Sequence, residues 1–143
     1  PPTNDTCSGA TQVTLGSGTT TVTGDTTGML NQFGTAINCG NLNTVFRGSQ
    51  AYYKFNLTAG KAYTFTLNAS YYYNVFYIFS GTCGIGPINA SCGSGGKTGD
   101  VSSTSTSTNA KTVTFTPAAS GVYYVAVDST QTNRFGSFTL TIK

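Results

Sequence analysis

The chain has 143 residues, a formal net charge of +3, and only 8% charged residues. That length fits one domain built on one core, so residues 1–143 are read as a single domain. Arg47, Lys54, Lys61, Lys97, Lys111, Arg134 and Lys143 are scattered singly, which excludes the clustered basic surface that nucleic acid requires. No apolar run is long enough to cross a membrane as a helix, and with no leader peptide the chain reads as a mature, processed form.

Taken in chain order, the apolar residues recur with a period of two, the signature of strands. Gln12–Leu15 and Thr19–Thr23 are short, weak strand candidates. The stretch 26–49 is rich in glycine and asparagine and reads as a long excursion. Ala51–Leu57 is a more deeply buried strand. Ala62–Leu67 alternates cleanly, with Tyr63, Phe65 and Leu67 on one face and Thr64 and Thr66 on the other. Tyr73–Phe79 is a second buried strand. Residues 93–110 are low-complexity loop. Lys111–Thr116 alternates again, Val122–Val127 is a third buried strand, and Phe138, Leu140 and Ile142 alternate with Thr139 and Thr141. Thr58–Lys61 and Pro117–Gly121 carry turn residues and are expected to join their flanking strands as hairpins. About eight short strands without a helix predict an all-β, antiparallel sandwich.

Cys7, Cys39, Cys83 and Cys92, in a chain with no histidine and no zinc-type Cys spacing, favour disulfides over a metal site. Three pairings are open. The local ones, Cys7–Cys39 and Cys83–Cys92, are expected, and loop entropy assigns them roughly 3.7 and 2.7 kcal/mol. Two disulfides place the protein in an oxidising compartment, secreted or at the cell surface.

Several segments, in order, carry a resemblance to a known family. They are Asn4-Asp-Thr-Cys7, Gly24-Asp-Thr-Thr-Gly28, Cys39, Ala51-Tyr-Tyr-Lys-Phe55, Ala59-Gly-Lys-Ala-Tyr63, Phe76 to Cys83, Ser120 to Asp128, and Gly136 to Ile142. Together they resemble the bacterial pre-peptidase C-terminal domain over nearly the whole chain. The resemblance implies a jelly-roll-like sandwich without catalytic activity, appended to secreted proteins and attaching to collagen or insoluble polysaccharide. Related modules bind calcium near the N-terminal segment, where this chain has Asn4, Asp5 and Asp25, with Asn31 close by. Calcium takes six to eight oxygens, several of them carboxylate. Two aspartates and no glutamate fall short of that, so turn-capping is the expected role of these residues and no cofactor is expected.

Catalytic machinery is hard to assemble from this chain. Without histidine there is no Ser-His-Asp or Cys-His arrangement. The carboxylates Asp5, Asp25, Asp100 and Asp128 are far apart in sequence. Ser94-Gly-Gly-Lys97 matches a serine-lysine pattern, and Gly96-Lys-Thr98 matches the end of a phosphate loop. Neither is framed by the helix those motifs need. Sequons at Asn4, Asn56, Asn68 and Asn89 are what chance produces in a chain rich in Asn and Thr.

Aromatic residues carry the binding expectation. Tyr71, Tyr72, Tyr73 and Tyr77 lie in a run with Phe76 and Phe79, and alternation cannot bury all of them. Tyrosines left at the surface would stack on sugar rings or form a protein contact. The expected function is a non-catalytic extracellular binding or attachment module, with an extracellular polymer or another protein as partner. The alternative is a subunit that assembles with copies of itself into a filament or surface layer. Its contacts would run through the N-terminal tail (Pro1 to Thr6), edge strands or the 93–110 loop.

Overall fold

The computed structural model describes residues 4–32, 47–80, 83–84, 108 and 110–143. Its eight strands are β1 (Thr11–Gln12), β2 (Thr20–Asp25), β3 (Ala51–Leu57), β4 (Tyr63–Ala69), β5 (Asn74–Ser80), β6 (Lys111–Phe115), β7 (Gly121–Ser129) and β8 (Ser137–Ile142). They form two four-stranded sheets, ordered β1-β3-β7-β5 and β2-β8-β4-β6. Odd-numbered strands make one sheet and even-numbered strands the other, so successive described strands always change sheet.

This alternation overturns the two expected hairpins. β3 pairs with β7 and β4 with β6 and β8, so Thr58–Lys61 and Pro117–Gly121 are arches between sheets. Burial explains why. β3 hides Tyr52 and Tyr53, which point to opposite faces, whereas β4 buries only alternate residues. A doubly covered strand and a half-exposed one belong to different layers. The arches brace each other: the Gly60 amide donates to Pro117 O at 2.9 Å, and the Ala59 amide to Ser120 Oγ at 2.8 Å. Gly60, at φ +80°, supplies the left-handed residue of its turn. The sandwich is also not wholly antiparallel, because β1 runs parallel to β3 over Thr11↔Tyr53 and Gln12↔Lys54.

Between the sheets lies the main core. Tyr53, Phe55 and Leu57 of β3 and Phe76 and Ile78 of β5 face Phe65 and Leu67 of β4 and Phe138, Leu140 and Ile142 of β8. Phe55 meets Phe65 edge-on at 5.9 Å, and Tyr53 meets Phe138 at 6.1 Å. Each such aromatic pair adds roughly 1 kcal/mol to the area it buries. Gly24 is needed here, since a Cβ would lie 2.5 Å from Phe138 Cζ and 2.6 Å from Tyr53 Oη.

The odd-numbered sheet has a second buried face. Tyr52, Val75, Tyr77, Phe79 and Ala126 pack there with Cys7 and Ala10. From Asn4 onward the N-terminal segment is therefore part of the fold: Asn4 O accepts the Tyr52 amide at 2.8 Å, and Cys7 is buried; residues 1–3 of the expected tail lie outside the described residues.

Cys7 is disulfide-bonded to Cys83, 76 residues away, and this corrects the expected local pairing. Cys83 follows β5, and β5 lies under the segment that carries Cys7, so neighbours in space replaced neighbours in sequence. Cys39, Cys92 and all of 93–110 except Thr108 and Ala110 lie outside the described residues. Closing a loop of this length contributes about 4.5 kcal/mol on the loop-entropy model. We expect the double variant Cys7→Ser/Cys83→Ser to melt roughly 10 °C or more below the wild type. Non-reducing peptide mapping should recover Cys7 linked to Cys83; a Cys7–Cys39 peptide, or no change in melting, contradicts the assignment.

Candidate functional site

The loops at one end of the sandwich gather the candidate residues. This end comprises the turn after β2, residues 47–50, the turn 70–73 before β5, and residues 130–136 between β7 and β8. Backbone bonds join them: Thr130 donates to Tyr73 O, Arg47 and Gly48 to Ser129 O, Gln50 to Leu30 O and Thr26 to Gly136 O.

The tyrosine run divides into two pairs. Tyr71 and Tyr77 are buried. Tyr71 Oη donates to Asp128 O at 3.2 Å and Tyr77 Oη to Asp128 Oδ2 at 3.1 Å. Both rings belong to the interior and are withdrawn from the expected surface set. Tyr72 and Tyr73 stay half-exposed. The Arg134 guanidinium lies 5.5 Å from the Tyr72 ring centroid and 5.9 Å from that of Tyr73, within cation–π range of both. Arg134 Nε is buried and finds no acceptor among the described residues. Phe135 beside it and Leu30 in the β2 turn are exposed large apolar side chains.

Tyr73 holds φ at 59°, a left-handed conformation costing a non-glycine residue roughly 1–2 kcal/mol. Its carbonyl is fixed by Thr130 N–H at 3.2 Å, and the preceding turn by Asn74 Nδ2 donating to Tyr71 O at 2.7 Å. Lys111, although charged, is buried with its Nζ on Asn74 Oδ1 at 2.6 Å. Its isolation in the sequence gave no sign of this burial.

Beneath this end sits a buried polar group that the sequence reading missed. Tyr52 and Tyr77 flank Ala126 in register across three strands. The small residue between them leaves room for the hydroxyls to reach Gln50 and Asp128. Tyr52 Oη donates to Gln50 Oε1 at 3.0 Å, which also accepts the Gln32 amide at 3.0 Å. Gln50 Nε2 donates to Asn31 Oδ1 at 2.8 Å, and Asn31 Nδ2 to Arg47 O at 2.8 Å. The chain of bonds ties the surface loops to the sheet.

Asp5, Asp25 and Asn4 are each used locally. Asp5 Oδ2 accepts the Leu30 amide at 3.2 Å and Asp25 Oδ1 the Thr27 amide at 2.8 Å. The Thr27 hydroxyl, then its amide, hold the Asp25 carboxyl below the usual range. Asn4 Nδ2 reaches Tyr52 O at 3.4 Å. Among the described residues no three His, Cys, Asp or Glu side chains come together as metal ligands.

The chain is similar in fold to the pre-peptidase C-terminal domain of a collagenase from Bacillus anthracis. The TM-score is 0.55 at 16% identity, covering 94% of each chain. Lower-scoring similarity extends to PliG, a periplasmic inhibitor of g-type lysozyme, from Salmonella Typhimurium (TM-score 0.48, 14% identity, 94% of this chain and 97% of that one) and from Aeromonas hydrophila (0.44, 14%, 94% and 96%). No protein-family model matches the chain, and no curated protein matches it by sequence. At this identity the collagenase domain speaks for the fold alone, an all-β sandwich of two sheets.

Asp128 makes the site's foundation sensitive to pH. Burial raises its carboxyl to about 8, against the lowering effect of bonds from the Ser129 amide, Tyr77 and Gln50. A group raised on folding stabilises the fold fully below its unfolded value of 3.8, and that contribution is lost as pH climbs through about 8. The melting temperature should therefore fall between pH 5 and pH 8.5, and Asp128→Asn should flatten the fall. A wild-type curve that does not fall over that range, or an equal fall in the variant, contradicts this role for Asp128.

Proposed function

We propose that this protein is a non-catalytic extracellular attachment module of the pre-peptidase C-terminal type, which holds an extracellular polymer or protein with its loop end. The observation that carries the reading is Tyr73, kept in a left-handed conformation next to Tyr72 and Arg134. Local strain of this kind is retained where the surrounding structure over-determines it, and it concentrates in ligand-contacting loops. Two half-exposed rings and the half-buried guanidinium beside them suit a partner that offers both flat apolar surface and carbonyl or hydroxyl acceptors. Collagen and insoluble polysaccharides both do.

The jelly-roll-like winding implied by the resemblance is supported by the strict alternation of strands between sheets. Export to an oxidising compartment is supported by the Cys7–Cys83 bond. A non-enzymatic role rests on residue types: the chain has no histidine, and Asp5, Asp25 and Asp128 are each committed to local hydrogen bonds. The reading requires no cofactor.

Collagen is the first ligand to try, because the similar domain belongs to a collagenase; chitin and cellulose follow. The wild type should be retained on at least one of these solids, and the double variant Tyr72→Ser/Tyr73→Ser and Arg134→Ala should each lose tenfold or more of that retention. Tyr73→Gly, which suits the same φ, keeps the fold in a control that removes only the ring. Retention unaffected by all three variants would rule out the loop end as the binding surface.

A further inference from the structure

Among the described residues, strand β2 is the outer strand of the even-numbered sheet, paired on one side with β8 in an unbroken register from Thr20↔Ile142 to Asp25↔Ser137. Its six residues, Thr-Thr-Val-Thr-Gly-Asp, contain no lysine, no proline and no bulge, the usual protections of an edge. Which backbone groups it leaves open follows from the ladder. The Thr26 amide bonds to Gly136 O on the β8 side. Bonding direction alternates along an antiparallel pair, so Thr20, Val22 and Gly24 also point to β8. Thr21, Thr23 and Asp25 then direct their N–H and C=O groups outward, and all three are exposed.

We infer that this edge pairs with β2 of a second copy of the chain, in antiparallel register about Val22. Two constraints limit the pairing to registers centred on a residue, and among these the one about Val22 sets valine against valine. Residues directly opposite one another must share a sheet face, and outward-bonding residues must meet outward-bonding residues. Both are met when Thr21 lies opposite the partner copy's Thr23 and Val22 opposite its own equivalent. The half-buried valines then cover each other on the core side, while threonine meets threonine on the solvent side. The same sheet already uses that pairing at its other end, where Thr64 and Thr66 of β4 bond Thr114 and Thr112 of β6 at 3.2 and 3.1 Å. Asp25, the one charged residue of the strand, falls opposite Thr19, so no like charges oppose. The contact is isologous and closes at two copies. It gives the alternative read from the sequence, assembly with copies of itself, a different form, a dimer with one continuous sheet of eight strands rather than a filament or layer. It does not depend on what the loop end binds.

Sedimentation equilibrium of the full 143-residue chain should show the mass doubling with concentration, at or below about 1 mM. Thr23→Pro deletes an outward N–H that pairs with none of the described residues, and Thr23→Lys keeps the donor but adds a charge at the seam; both should remain folded monomers. Thr66→Lys, which places the same charge on the sheet face away from the edge, should still dimerise. Amide exchange by NMR gives a second, finer reading. The Thr21, Thr23 and Asp25 amides should gain protection as concentration rises, while those of Thr20, Val22 and Gly24 stay protected throughout. A wild type that is monomeric up to about 1 mM overturns the proposal. A Thr23→Pro variant that still dimerises, or protection that rises equally at all six positions, also overturns it.

Discussion

The odd-numbered sheet is buried on both faces, and most of the molecule is arranged around that constraint. One face packs on the even-numbered sheet through Phe55, Phe76, Ile78 and Val125. The other carries Tyr52, Val75, Tyr77 and Phe79 and needs a cover of its own. The N-terminal segment supplies part of it, bonded through Asn4 and fastened through Cys7. Covering that face also seals Asp128, Tyr52 and Tyr77 away from water. Their hydrogen bonds must then be completed internally, and leaving one unmade would cost roughly 1–3 kcal/mol. Gln50 and Asn31 complete them and in doing so fix the loops above.

The strands were largely legible, because half-burial imposes a period of two on β4, β6 and β8 and burial on both faces makes β3, β5 and β7 near-continuous apolar runs; β3 to β8 lie within a residue or two of where those patterns placed them. Pairing was not legible. Alternation says which face a residue occupies but not which strand lies beside it, so turns rich in Gly and Pro looked like hairpins when they were arches. The cysteines misled for the same reason. Sequence proximity favours Cys7 with Cys39, but only the path of the N-terminal segment across β5 brings Cys7 to Cys83.

The candidate site was half legible. Too many aromatics stood in 71–79 for one face, which correctly implied a division between core and surface. Which tyrosines went inward depended on Asp128. That residue, which the sequence offers only as one of four scattered carboxylates, is fully buried, and its carbonyl and carboxyl draw in Tyr71 and Tyr77. Arg134 gave no sequence signal at all, since its two tyrosines lie some sixty residues upstream and meet it only through the Thr130 to Tyr73 bond.

The Cys7–Cys83 bond also decides how the fold carries mechanical load. Tension entering through the N-terminal segment passes through sulfur directly to the end of β5, bypassing the 76-residue span between the two cysteines. At roughly 3.4 Å per residue, on the order of 250 Å of contour is withheld from extension. The strands β1 to β5 are thus shielded from being unravelled in series. Under tension that locking turns an extensible chain into a short, stiff link.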